Sequence, residues 1–225
     1  MIKDFTIYGE RCSGTNFLYS IFTGDVHHAG VIDPSEAKRN KISNIPWVNT
    51  YGWKHFFGFH NTEIQRHGDN TLFLGIVRNP YDWIHSFYGN LYHVPDENRK
   101  MYKFLLSEWY SVKKHNVENL HDRDLSNTDK RYKNIFDLRS KKLNYLYNTM
   151  PTLAKNYYFL KYEDLCQNPH KIFDEISKKF NLNFENVSKI KVKKPNPHKL
   201  DNRMKQIIDD NIDWDMENSV GYEKR

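Results

Sequence analysis

Apolar and polar positions repeat with two different periods along this chain, and the switches between them mark its elements. Phe5 to Tyr8 reads as a short buried strand. Phe17, Leu18, Ile21 and Phe22 then fall on one stripe of a helix from Gly14 to Phe22, with Gly24 as its stop. Residues 25–49 are mixed and polar and read as a loop, and "TYGWKHFFGF" at 50–59 reads as holding a short strand. The clearest strand is "TLFLGIV" at 71–77, apolar throughout, as a parallel sheet covered on both faces requires. It ends at Arg78, after which Asn79 suits an N-cap and Pro80 a first helical position. Residues 100–115 and 133–149 read as helices, with a polar, exposed stretch between them. "NYYFLKY" at 156–162 is a further strand. "NPHKIFDEISKKF" is an amphipathic helix with Ile172, Phe173, Ile176 and Phe180 inward, and another helix is expected from about 200 to 212.

Strands that alternate with helices predict an α/β fold of three layers, a central parallel sheet flanked by helices. Ligands of such sheets bind at the carboxyl ends of the strands. The segments 9–16, 78–86 and 162–164 all lie at such ends.

A length of 225 residues suits one domain with a sizeable core or two very small ones, and a single domain spanning 1–225 is expected. With 38% hydrophobic and 15% aromatic residues the chain can build a core, which argues against disorder. The formal charge of +6 favours acidic ligands without choosing among nucleotides, sulfated or phosphorylated molecules and nucleic acid. Two cysteines, Cys12 and Cys166, are too few for a disulfide framework and predict a reducing compartment. "MIKDFTIYG" runs directly into a strand and does not resemble a signal peptide. No segment approaches the roughly 18 consecutive apolar residues of a membrane span. A soluble, cytoplasmic protein with no membrane partner is expected.

The chemistry concentrates in "YGERCSGTNFL", residues 8–18. A loop that leaves a strand and opens a helix presents unpaired backbone N–H groups and the positive end of the helix dipole. Glycine lets the backbone approach an anion closely. Gly9, Ser13, Gly14, Thr15 and Asn16 therefore suit a phosphate, and Arg11 adds a charged fork. The spacing of Gly9 and Gly14 is that of G-x-x-x-x-G-K-[ST], but Thr15 stands in place of its Lys and Asn16 in place of its magnesium-binding hydroxyl.

Taken with "RNPYDWIHS", which pairs Arg78 with Ser86, and "FLKYEDL", the sequence resembles the sulfotransferases that use 3′-phosphoadenosine 5′-phosphosulfate (PAPS). That resemblance implies a P-loop NTPase-like sulfotransferase fold. It also implies that "ERCSGTNF" binds the 5′-phosphate through Cys12 to Asn16, that Arg78 and Ser86 bind the 3′-phosphate, and that Tyr162 and Phe17 meet the adenine. "ENSVGY" near the end is similar to the family's closing segment. The chain departs from the family at Cys12, where Lys or Arg is usual, Arg11 lying one position early. It also lacks a good R-K-G triplet, for which Lys193 and Lys194 are the substitutes.

The resemblance implies in-line transfer of a sulfuryl group to an acceptor hydroxyl or amine, with no metal required. The family's K-x-H segment has its counterpart in Lys54 and His55, adjacent here, with His55 as general base and Lys54 at the transferring group. Neighbours in a strand point to opposite faces, so a strand at 50–59 would let only one of the two reach the site. Glu10 is the carboxylate alternative. His27 and His28 are adjacent, a poor geometry for one metal ion, so no metal site is expected. Acceptor-side loops are expected within 25–50 and 90–131, for a small-molecule, carbohydrate or peptide acceptor. The rival readings are a nucleotide-dependent kinase or phosphatase on a related loop, a catalytically degenerate nucleotide-binding relative, and a basic nucleic-acid module. The last has no recognised signature in the chain.

Overall fold

Three apolar runs become the strands β1 (Asp4–Tyr8), β2 (Thr71–Val77) and β3 (Tyr157–Lys161) in the computed structural model. The structure describes residues 1–24, 41–190 and 200–225. His27, His28, Lys193, Lys194 and most of the expected acceptor-side loop at 25–50 lie outside the described residues. The strands form one parallel sheet in the order β1-β2-β3, with Asp4 opposite Thr71 and Phe73 opposite Tyr157.

The described residues divide into two compact units, Met1–Arg78 with Thr149–Asn196, and Asn79–Asn148 with Pro197–Arg225. The first holds the sheet, together with α1 (Thr15–Thr23), α2 (Asn61–His67), α6 (Met150–Leu153), α7 (Tyr162–Gln167) and α8 (Pro169–Phe180). Side chains alternate across a strand. Phe5, Ile7, Leu72, Leu74, Ile76 and Leu160 accordingly meet Leu18, Ile21 and Phe22 of α1 and Ile172, Phe173 and Ile176 of α8 on one face. On the other face Tyr8 stacks on Phe57 at 5.3 Å, and Tyr51 packs on Phe73 at 5.3 Å. Tyr8 donates to the Tyr51 carbonyl at 2.6 Å, and the Tyr51 hydroxyl donates to the carbonyl of His67 in α2 at 2.8 Å. The sheet is thus flanked by helices, as its all-apolar central strand requires.

Gly75 is required in β2 because the Tyr157 side chain crosses it. A Cβ there would lie 2.0 Å from the Tyr157 hydroxyl. Gly75→Ala is expected to destabilise the fold by about 1–3 kcal/mol through overpacking. Urea unfolding measures this, and the double variant Gly75→Ala/Tyr157→Phe should recover part of the loss.

The second unit is helical, with α3 (Pro80–Tyr88), α4 (Met101–Leu106), α5 (Ile135–Asn144), α9 (Asn202–Asn211) and α10 (Trp214–Ser219). Asn79 caps α3 as its sequence predicts, its side chain accepting from the Tyr81 N–H at 3.1 Å. Arg139 of α5 and Glu217 of α10 form a buried two-bond ion pair at 2.7 and 2.9 Å, with the guanidinium 5.2 Å from the Trp83 ring. Lys142 and Asp122 form a second pair at 3.0 Å, both side chains fully buried.

Three expectations about elements need correction. Residues 50–59 form turns rather than a strand: Phe56 N–H closes on the Trp53 carbonyl at 2.8 Å, and Gly52 has φ +99°. The pairing with the edge of β1 falls earlier, where Val48 N–H donates to Phe5 at 2.8 Å. The helix expected over 100–115 ends at Leu106, because Ser107 is extended and Trp109 instead exchanges backbone bonds with Tyr132 at 2.9 and 3.1 Å. The polar stretch that follows is not simply exposed, since Asn119, Asp122 and Asp124 are buried. Charges that read as solvated in sequence are paired in the fold, which is what lets them be buried.

Candidate functional site

The site is built where the three strands end, within the first unit. β1 hands the chain to Gly9, whose N–H donates to the Lys54 carbonyl at 3.0 Å. Ser13 closes the loop, its N–H at 3.1 Å and its hydroxyl at 2.6 Å both donating to the Glu10 carbonyl. Cys12 and Gly14 are left-handed, at φ +62° and +101°. Gly14 is required twice over: its φ suits glycine, and a Cβ would lie 2.3 Å from Cδ2 of Tyr162. No side chain caps α1, and its first intrahelical bond runs from Leu18 N–H to the Gly14 carbonyl at 3.0 Å. The N–H groups of Thr15, Asn16 and Phe17 precede that bond, which makes this helix start suited to an anion. Thr15 is buried and Asn16 exposed.

The turn at 53–56 delivers two chemically active side chains to this loop. The Lys54 ammonium donates to Oδ1 of Asn16. Burial holds Lys54 below the ordinary lysine range. His55 is buried, and its Nδ1 lies 2.6 Å from the Gly9 carbonyl oxygen. A carbonyl oxygen only accepts, so Nδ1 carries the proton and Nε2 is the basic nitrogen. The Trp53 ring meets the imidazole edge-on, with centroids 4.7 Å apart. Because the segment is a turn, Lys54 and His55 do not diverge as strand neighbours would, and both reach the loop.

Arg11 is buried, its guanidinium 5.3 Å from the centre of the Phe56 ring, and Glu10 beside it is buried as well. Arg78, following β2, donates from Nη1 to the Cys12 carbonyl at 3.2 Å and lies 4.8 Å from the centre of the Tyr162 ring. Tyr162 follows β3, with Phe17 at its edge at 6.1 Å. Burial and a bond to Cys166 push the Tyr162 hydroxyl up to about 12. Ser86 lies half-buried on α3 in the second unit, its carbonyl accepting from Asn90 Nδ2 at 3.1 Å. Among the described residues, no group of three or more His, Cys, Asp or Glu is placed to hold a metal ion.

No family model and no curated protein sequence matches this chain. Among solved structures, a "Sulfotransferase Domain from the Curacin Biosynthetic Pathway" is similar to it. The alignment covers 100% of this chain and 99% of that chain, at 12% identity and a TM-score of 0.48.

Sequence reasoning missed the Gly9 carbonyl as the seat of His55 and Phe56 as the seat of Arg11. Neither leaves a sequence signal, because each contact joins residues more than forty positions apart. Cys166 could have been found, since it lies one helical turn after Tyr162. Together the residues can do two things. The helix start with Lys54 and Arg78 supplies fixed positive potential for an anion, and His55 supplies an imidazole, a group able to act as a base, held at the loop through Nδ1.

Proposed function

We propose that the chain is a sulfotransferase that moves a sulfuryl group from PAPS to a hydroxyl or amine. One observation carries the reading. His55, Lys54 and Arg78 all bond to the same glycine loop, at the Gly9 carbonyl, the Asn16 side chain and the Cys12 carbonyl. A base and two cations around one anion-binding helix start are the parts that such a transfer needs.

Bound PAPS would supply an activated sulfuryl group, which would pass to the acceptor oxygen or nitrogen as the S–O bond to the 5′-phosphate breaks and its electron pair leaves with that phosphate. His55 Nε2 takes the acceptor proton, oriented by the Nδ1–H bond to Gly9. The N–H groups of Gly14, Thr15 and Asn16 and the Thr15 hydroxyl hold the phosphate end. Lys54 is the cation at that end, because it already touches Asn16 whereas Arg11 is buried against Phe56. On this reading the positive charge that the family places at the Cys12 position comes from another segment. Arg78, a planar fork, takes the 3′-phosphate, and Tyr162 and Phe17 take the adenine.

Thermal unfolding with adenosine 3′,5′-bisphosphate tests the donor site. At a hundred times its Kd the ligand adds about 2.7 kcal/mol, which raises the melting temperature by about 5–10 °C. Arg78→Ala should remove most of that shift. A shift with ATP–magnesium alone would replace this reading with phosphoryl transfer. A screen with labelled donor across phenols, carbohydrates and peptides identifies the acceptor.

A further inference from the structure

One aromatic ring touches both ends of the candidate site. Tyr162, the residue that follows β3, lies directly against Gly14: a Cβ there would stand 2.3 Å from its Cδ2 and 3.0 Å from its Cε2. The Arg78 guanidinium lies over the same ring, 4.8 Å from its centre. Phe17 of α1 meets the ring edge-on at 6.1 Å, and Cys166 of α7 bonds to its hydroxyl. The ring is therefore held from three sides, and all of these residues belong to the first unit.

Those contacts decide how the guanidinium is presented. Nη1 of Arg78 donates to the Cys12 carbonyl at 3.2 Å, in the same glycine loop. A planar group held by one hydrogen bond can still swing about that bond. A guanidinium over a ring face within about 6 Å is attracted to it, so the ring removes much of that freedom. Gly14, with no Cβ, lets the ring come this close to the loop. The ring thus touches the helix start, which suits one anion, and the guanidinium, which suits another, and fixes one against the other.

We propose that Tyr162 is the spacer that fixes Arg78 relative to the glycine loop and so makes the donor site selective for a nucleotide with phosphates at both its 3′ and 5′ positions. The inference rests on the reading of the donor site given above. It gives Tyr162 a positioning task besides the adenine, and the two tasks have different signatures. A ring that only met the adenine would favour every adenine nucleotide alike. A spacer acts through Arg78, so its loss lowers the preference for a 3′-phosphate.

Calorimetric titration of the full chain with adenosine 3′,5′-bisphosphate and with adenosine 5′-monophosphate makes the test. In Tyr162→Leu the preference for the bisphosphate over the monophosphate should fall about ten-fold, the scale that a lost cation–ring contact implies. Tyr162→Phe keeps the ring face and loses only the bond to Cys166, so it should hold the wild-type preference within about two-fold. Tyr162→Met, whose flexible side chain fills irregular gaps, should show the same fall as the leucine variant even if that variant packs too poorly to fold. In an Arg78→Ala background Tyr162→Leu should change the preference no further, because the spacer has nothing left to position. If folded Tyr162→Leu or Tyr162→Met keeps the wild-type preference, or weakens both nucleotides equally, the ring serves only the adenine or the core, and the proposal fails. It fails too if Tyr162→Phe falls as far as Tyr162→Leu, or if Tyr162→Leu still lowers the preference without Arg78. If the wild type itself does not prefer the bisphosphate, the reading of the donor site fails, and the spacer with it.

Discussion

His55→Asn is expected to slow sulfuryl transfer by about 10²–10⁴-fold, the usual contribution of a positioned general base. Adenosine 3′,5′-bisphosphate binding should stay within about two-fold, because the asparagine amide nitrogen takes the place of Nδ1 and can still donate to the Gly9 carbonyl. The contrast matters because His55 has two possible jobs: its Nδ1–H braces the loop, and its Nε2 can take a proton. A brace alone would weaken nucleotide binding and rate together, whereas a base lowers the rate only. An unchanged rate would pass the role to Glu10, buried in the same loop.

Lys142→Met is expected to cost about 3–5 kcal/mol and to lower the melting temperature on the order of 10 °C. Lys142 and Asp122 are both fully buried at 3.0 Å. Removing the ammonium deprives a buried carboxylate of its countercharge, the expensive way to break such a pair. Lys142→Met/Asp122→Leu removes both charges together and should lie close to the wild type. Were the single variant no less stable than the double, the pair would be an ornament of the loop rather than its anchor. The same pair ties the irregular stretch before α5 to that helix, and neighbouring contacts reinforce it. Arg131 forks onto Glu118 at 2.7 and 3.1 Å and lies 3.7 Å from the centre of the Tyr110 ring. Part of the segment expected to carry an acceptor loop is therefore cross-braced.

Much of the α/β unit was legible before any coordinates. The run at 71–77 is β2 to the residue, and the stripe of Phe17, Leu18, Ile21 and Phe22 belongs to α1. The amphipathic segment that became α8 and the Asn79 cap of α3 were equally plain. These are local features: a backbone period, a cap or a proline acts within a few residues, so a linear string contains all that they need. The second unit was harder. Its helix over 100–115 was expected too long, because Trp109 pairs with Tyr132, a partner that no local pattern announces. Lys142 is fully buried because Asp122 reaches it from another segment, which no local pattern announces either.

The candidate site divides along the same line. The amino-acid string alone marked the glycine loop, Arg78 and Tyr162 as lying after strands, because strand ends and helix starts are written in the hydrophobic period. Only the tertiary structure decided that a turn at 53–56 brings Lys54 and His55 together at that loop, and that Arg11 is buried against Phe56. The reason is physical: hydrogen bonds and charges act over a few ångströms of space, and which distant segments share those ångströms is settled by packing.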